Sequence, residues 1–269
     1  MNENPNARWV IFDADNTLWH VESLYNEARA DLCSYVSNLS GQPVPEIEDF
    51  QQDRDKELNE IYGYSAARFA RSFEDTIYKF VPHATTAQVR HVRALAEKVF
   101  AQKAELVAGG EIVLRSLRAK GFHLGLLTAG EAWVQEKRIA QFHLQGIFHA
   151  IDVVERKTEK EFLDFCQKNG IKADDCWVVG DSLRSDIDPA IKAGLRAILV
   201  PNENWKRVEA VKVDASKYSV ANKLEEVLKV IGVDPVDLKP TFTPGLSCYG
   251  VFEGGGRQRS GARWRAESM

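Results

Sequence analysis

Short, mostly apolar runs recur along this 269-residue chain, and each stops at a polar residue, a glycine or a proline. Runs of this kind are typical of strands that are buried on both faces of a parallel sheet. They predict five strands, at residues 9–12, 123–127, 151–154, 176–179 and 197–200.

Segments with a helical spacing of apolar residues alternate with the later runs. They predict helices at residues 111–120, 131–142, 159–169, 184–193 and 224–231. Strands that alternate with helices in this way favour one parallel sheet with helices on both faces. We therefore predict an α/β fold with a doubly wound, mainly parallel, Rossmann-like sheet.

The stretch after the first run has only helical spacing and no obvious strand. It predicts four helices, at residues 21–36, 44–62, 65–81 and 86–103, with Ser65 as an N-cap. We interpret residues 19–108 as a helical insertion into a core formed by 1–18 and 109–233. Residues 234–269 are rich in Gly, Pro, Ser and Arg, so we predict a disordered C-terminal tail there.

Composition adds few constraints. The chain is 44% hydrophobic and 28% charged with a net charge of -4, as in ordinary soluble globular proteins, and no basic patch indicates a nucleic-acid partner. It has neither a signal-type start nor an apolar run long enough for a bilayer, so we expect no membrane association. The cysteines are scattered, as is typical of free thiols in a reducing cytoplasm. They are Cys33, Cys166, Cys176 and Cys248.

Two carboxylates follow the first predicted strand. At strand-like spacing Asp13 and Asp15 point to the same side and share one small space. Buried together they repel each other and lose hydration, unless a cation or a proton lies between them. By itself such a segment is more often a solvated turn. The other strand ends change this interpretation.

Polar groups also follow the later strands, where a parallel sheet places its ligand site. They are Thr128 with Ala129 and Gly130, then Lys157, then Asp181 with Asp186. Clustered carboxylates suit Mg²⁺, which takes oxygen ligands from protein and phosphate together. A hydroxyl with backbone amides at a helix start suits an anion, and a lysine supplies a point charge for phosphate. A phosphate ester would satisfy the whole set.

Four segments resemble the sequence motifs of the haloacid dehalogenase superfamily, in order and spacing, over about residues 8–201. They are DADNT, LLTAG, the lysine in ERKTEKEF, and GDSLRSD. The resemblance implies a Rossmann-like core with a helical cap of the C1 type inserted after the first motif. It also implies Mg²⁺-dependent phosphoryl transfer in the phosphatase branch.

The resemblance implies a role for each motif residue. Asp13 would be the nucleophile that forms an aspartyl phosphate, and Asp15 would protonate the leaving oxygen and then activate water. Thr128 would bind the phosphoryl group together with Ala129 and Gly130, and Lys157 would balance charge.

The metal ligands implied by the resemblance are Asp13, the Asp15 carbonyl and Asp181, with Asp186 in the first or second coordination shell. Asn16 and Thr17 of the first motif would also face the phosphate.

Two positions depart from the family pattern. The family often has glycine where this chain has Asn16, whose amide would still have to face the phosphate. The family lysine is often followed by proline, whereas Thr158 follows Lys157 here, and Lys160 is a rival on the adjacent turn. We favour Lys157, because a residue in the loop before a helix reaches the strand-end site more easily.

Asp15 separates the possible functions. Halide displacement from carbon needs no proton donor, so an acid at this position favours a phosphatase over a dehalogenase, while a phosphomutase stays open. A phospho-acceptor signalling or binding module with an Asp/Mg²⁺ site is the alternative from another class. A closing cap suits a small phosphorylated metabolite: a sugar phosphate, phosphoglycolate or a nucleoside monophosphate.

Overall fold

The computed structural model describes residues 8–144, 146–202 and 211–236. Its strands, within these ranges, are β1 (Trp9–Phe12), β2 (Trp19–His20), β3 (Glu105–Leu106), β4 (His123–Ala129), β5 (Ala150–Val154), β6 (Cys176–Gly180), β7 (Arg196–Leu199) and β8 (Ser219–Val220). Six of these form one parallel sheet in the order β5-β4-β1-β6-β7-β8. The predicted Rossmann-like α/β fold is confirmed.

The position of β1 inside the sheet explains why its apolar run is unbroken. All four of its side chains are buried, because helices cover both faces of the sheet. Val10 and Phe12 lie in the hydrophobic cluster on one face, and Trp9 and Ile11 lie in the cluster on the other. Full burial of such a side chain contributes about 1.5–3 kcal/mol, so both faces hold β1 in place. The carboxyl end of β1 therefore has a fixed position.

The helices alternate with the strands in the second half of the chain. They are α5 (Gly110–Ala119), α6 (Ala132–Gln141), α7 (Glu159–Asn169), α8 (Asp188–Lys192) and α9 (Glu226–Ile231). Leu114 of α5 and Val227 of α9 join one cluster, whereas Phe162 of α7 and Ala190 of α8 join the other. The sheet is thus covered on both faces, as predicted.

Four helices fill the predicted insertion, all of whose residues the structure describes. They are α1 (Glu22–Ser40), α2 (Val44–Tyr62), α3 (Ala66–Phe80) and α4 (Thr86–Ala101). They share a third hydrophobic cluster, which includes Leu32, Ile47, Phe73 and Val92, and Val134 of α6 packs into it. Ser65 caps α3 by accepting the N–H of Arg68 at 3.1 Å. The domain boundaries at 18 and 109 stay a prediction.

Several local features differ from the sequence predictions. The insertion is flanked by strands β2 and β3, which pair antiparallel as a small ribbon where the chain enters and leaves it. Strand β8 adds a sixth strand to the sheet. Strands of two residues carry no readable periodicity, which is why both were missed. The predicted helix at 184–193 is a π-helix, Leu183–Ile187, followed by α8.

Part of the predicted tail, residues 237–269, lies outside the described residues, and Cys248 lies with it. Among the helices that the structure describes, none has the length and apolarity needed to cross a membrane.

Candidate active site

Three buried carboxylates meet at the carboxyl ends of β1 and β6. Asp13, Asp181 and Asp186 each place one oxygen within 4.8 Å of the others, and they are 6%, 5% and 1% exposed. Asp13 directly follows β1, and Asp181 directly follows β6, which pairs with β1. Parallel pairing therefore brings together two residues that are 168 positions apart in the sequence.

Lys157 lies against this cluster. Its ammonium group donates hydrogen bonds to the carboxylates of both Asp13 and Asp186, and the side chain is buried. Lys160, the rival position, is exposed and pairs with Asp164 on the surface of α7. The structure therefore brings Lys157, and not Lys160, to the strand-end cluster.

The electrostatics of the cluster are unbalanced. Burial raises the pKa of Asp13 from 3.8 to about 7, although Lys157 opposes the shift, and the neighbouring Asp186 carboxylate adds to it. Burial alone would lower the pKa of Lys157, but Asp13 and Asp186 outweigh it and raise that pKa. Two carboxylates thus share one ammonium group, and Asp181 lies beside them. The oxygen donors and the excess negative charge fit a hard divalent cation such as Mg²⁺.

A glycine makes room for Asp186. A Cβ added to Gly180 would lie only 2.3 Å from Cγ of Asp186, so no other residue fits without moving that carboxylate. The second oxygen of Asp186 accepts the N–H of Ser182 at 3.1 Å. The π-helix, a form that recurs at functional sites, carries Asp186 back over the end of β6.

Two buried hydroxyls near the strand ends have no partner within the described residues. They are Oγ1 of Thr128, at the end of β4, and Oγ1 of Thr17, which follows β1 in the chain. A buried hydroxyl without a partner is unfavourable by about 1–3 kcal/mol. Both atoms are therefore suited to a polar ligand such as a phosphoryl group.

Two backbone N–H groups in the motifs expected to bind phosphate already donate hydrogen bonds to carbonyl groups of the protein. The N–H of Gly130 donates to the carbonyl of Val154 at 2.8 Å, and the N–H of Asn16 donates to the carbonyl of Trp19 at 2.6 Å. Asn16 has a positive φ of 64°, which asparagine tolerates better than most residues, so it replaces the family glycine in the backbone turn. A contact of the Asn16 amide with phosphate stays a prediction.

Asp15 lies apart from the three-carboxylate cluster and has partners of its own. One oxygen accepts Nε1 of Trp19 at 2.7 Å. The other accepts Nε2 of Gln135 at 3.0 Å and a guanidinium N–H of Arg138 at 2.6 Å. Both α6 residues are buried, and Asp15 is only partly exposed. These contacts fix the orientation of the carboxylate that the sequence predicts to be the general acid and base.

No sequence pattern assigned a role to Gln135 or Arg138. Both residues lie on α6, which follows the LLTAG motif. Their helical spacing from Glu131 places all three on one face of the helix, and this polar face was the available sign of a role in the site.

A model of the haloacid dehalogenase-like hydrolase family matches residues 7–194, so the chain belongs to this family and is a hydrolase. The glyceraldehyde 3-phosphate phosphatase of Methanopyrus kandleri is 24% identical over 230 residues, which are 82% of this chain and 96% of that protein. The N-acylneuraminate-9-phosphatase of Mus musculus is 35% identical over 118 residues, 42% of this chain and 47% of that protein. The predicted family is confirmed, and so is the prediction of a hydrolase that acts on phosphoric monoester bonds.

Solved structures agree with the fold. A haloacid dehalogenase-like family hydrolase from Xanthomonas campestris superposes with a TM-score of 0.71 at 21% identity, covering 84% of this chain and 95% of that chain. A HAD hydrolase from Bacillus subtilis, solved bound to magnesium, gives a TM-score of 0.61 at 18% identity, covering 84% of this chain and 99% of that chain. At these identities the similarity supports the shared fold.

Proposed function

We propose that this protein is a Mg²⁺-dependent phosphatase of a small phosphomonoester, and that its substrate is a phosphorylated sugar or a similarly small polar phosphate. The observation that carries the proposal is the placement of Lys157 between Asp13 and Asp186, beside Asp181, at the end of the central strand. The two similar phosphatases named above act on small sugar-derived phosphates by their names, which supports this substrate class.

In the first step, an oxygen of Asp13 attacks the phosphorus atom, and the bond between phosphorus and the leaving oxygen breaks. Asp15 gives its proton to that leaving oxygen, so that an alcohol departs and an aspartyl phosphate remains. In the second step, a water oxygen attacks the phosphorus while Asp15 takes the proton. The bond to Asp13 then breaks and inorganic phosphate is released.

The other residues position and neutralise the reacting groups. Lys157 offsets negative charge on Asp13 and on the phosphoryl oxygens, and the free hydroxyl of Thr128 donates to a phosphoryl oxygen. Asp13, Asp181 and Asp186 would hold Mg²⁺, with the Asp15 carbonyl as a further ligand. When bound, the ion supplies positive charge that offsets the charge of the transferring phosphoryl group.

The test is release of inorganic phosphate from a panel of sugar, nucleotide and short acid phosphates, with Mg²⁺ and with a chelator. We expect Mg²⁺-dependent release, fastest for small polar esters. No release from any ester, with Mg²⁺ still raising the melting temperature, would favour the phospho-acceptor or binding module instead.

A further inference from the structure

Three N–H donors surround the carboxylate of Asp15, and two of them come from one helix. Arg138 and Gln135 of α6 donate to the same oxygen, at 2.6 and 3.0 Å. Nε1 of Trp19 donates to the other oxygen at 2.7 Å. The two α6 residues are three positions apart, which places them on one face of the helix. The helix therefore brings a charged donor and a neutral donor to a single carboxylate oxygen.

The guanidinium group of Arg138 is shielded from solvent, whereas part of the Asp15 carboxylate is accessible. The Arg138 side chain is 6% exposed and the Asp15 side chain is 26% exposed. A substrate can therefore reach Asp15 more easily than Arg138. This difference places Arg138 where it acts through Asp15 and not on a substrate directly.

A side chain of the helical insertion also lies beside the guanidinium group. It is Tyr25 of α1, whose hydroxyl adjoins Arg138. The Tyr25 ring packs edge-to-face against Phe69 and Phe100, with ring centroids 4.9 and 6.1 Å apart. Burial alone would lower the pKa of Arg138, but Asp15 and Tyr25 outweigh it and raise that pKa. Arg138 thus stays charged in its buried position.

A buried ion pair is by itself weak evidence for a role in stability. Both partners lose hydration on burial, so an apolar pair of similar volume is often at least as stable. The pair of Arg138 and Asp15 differs from a purely structural pair, because Asp15 is the proton donor of the proposed reaction. When its O–H bond breaks and the leaving oxygen takes the proton, negative charge remains on this carboxylate. A fixed positive group beside it stabilises that charge as it develops.

We propose that Arg138 is a positioning residue of the reaction, which orients Asp15 and stabilises the charge that proton transfer leaves on it, with Gln135 as a weaker second donor. The inference rests on the proposed phosphatase function. Protonation matters most for a poor leaving group, so Arg138 contributes much to hydrolysis of alkyl phosphates and little to hydrolysis of activated aryl phosphates.

The test compares wild type with Arg138→Met on glycerol 3-phosphate, an alkyl ester, and 4-nitrophenyl phosphate, an activated aryl ester, both with Mg²⁺. The value of kcat/KM is measured, because it reports on the steps up to departure of the alcohol. We expect Arg138→Met to lower it about 10- to 100-fold for the alkyl ester and less than about threefold for the aryl ester. Arg138→Lys keeps the charge and should recover part of the alkyl rate.

The matched control is Lys137→Met, at the neighbouring position of α6. Nζ of Lys137 donates to the carbonyls of Phe100 and Ala101 at the end of α4, at 3.1 and 3.0 Å. This variant changes a contact between the same helix and the insertion. It should leave the ratio of the alkyl rate to the aryl rate as in the wild type.

A double variant separates action through Asp15 from a general loss of structure. In the Asp15→Asn background, Arg138→Met should lower kcat/KM for the alkyl ester by less than about a further threefold, because the acid through which it acts is already absent. Gln135→Met is a milder change on the same helix face. It should shift the alkyl-to-aryl ratio in the same direction by a smaller factor, and it tests the inference even where the melting curve shows that Arg138→Met does not fold.

Equal losses on the two esters, or full additivity of Arg138→Met with Asp15→Asn, would overturn the inference and leave Arg138 with a structural role. A wild type that hydrolyses neither ester would overturn the phosphatase function and this inference with it. A wild type that hydrolyses both, with an unchanged ratio in the Arg138 and Gln135 variants, would overturn this inference alone.

Discussion

Replacing Lys157 with methionine removes the ammonium group that donates hydrogen bonds to Asp13 and Asp186. Methionine keeps an unbranched side chain of similar length, so the change is mainly one of charge. The three carboxylates Asp13, Asp181 and Asp186 then share the buried site without the lysine.

The magnitude follows from burial. Removing one member of a buried ion pair destabilises a protein by about 3–5 kcal/mol, because the remaining charge stays uncompensated. Protonation relieves part of this loss, since burial already raises the pKa of Asp13 to about 7 and Lys157 no longer opposes the shift. Loss of a charge that stabilises the transferring group lowers kcat by roughly 100- to 1,000-fold.

The assay is phosphate release with Mg²⁺, with urea unfolding of the same samples with and without Mg²⁺. Lys160→Met is the matched control, because it removes an exposed lysine three residues away that pairs with Asp164 on the helix surface. We expect Lys157→Met to lose turnover and stability, with Mg²⁺ restoring part of the stability, and Lys160→Met to behave as wild type. Equal losses in the two variants, or full turnover in Lys157→Met, would refute the reasoning.

Three further predictions concern the same site. Gly180→Ala should displace the Asp186 carboxylate, because the new Cβ would lie 2.3 Å from its Cγ, and calorimetry should show weaker Mg²⁺ binding; unchanged affinity would contradict this. Asp15→Asn should slow alkyl phosphates more than activated aryl phosphates, whose leaving groups need less protonation, and equal losses would count against Asp15 as the acid. Because the pKa of Asp13 is raised from 3.8 to about 7, the unfolded chain loses this proton first as pH rises. As the pH rises from about 4 to about 7, the metal-free protein should therefore lose the stability that protonated Asp13 contributes. Mg²⁺ should raise the melting temperature more at about pH 8 than at about pH 6. A larger rise at about pH 6 would contradict Asp13 as the group that titrates.

The elements that were predicted well are either long helices or strands that are buried on both faces of the sheet. Residues 9–12 carry the apolar signal of a central strand, and residues 44–62 and 159–169 were predicted with the bounds of α2 and α7. The convergence of Asp13 with Asp181 follows from one rule, that parallel strands end at the same edge of the sheet.

The features that were missed depend on contacts between distant segments. Asp15 meets Arg138 across 123 positions, and the polar stripe on α6 does not indicate which distant residue it contacts. The π-helix at Leu183–Ile187 has the same apolar spacing as an α-helix over so short a stretch, so one helix was predicted over residues 184–193. The positive φ of Asn16 and its hydrogen bond to the N–H of Val21 come from the turn after β1, which no local pattern predicted.

The most direct test of the central claim compares wild-type protein with Asp13→Asn in the release of inorganic phosphate from small sugar phosphates, with Mg²⁺ and with excess chelator. We predict release only by the wild type with Mg²⁺, and an Asp13→Asn variant that stays folded, because the substitution keeps the side-chain shape and leaves Lys157 paired with Asp186. Equal release by Asp13→Asn, or release that the chelator leaves unchanged, would contradict a mechanism in which Asp13 attacks phosphorus beside a metal ion.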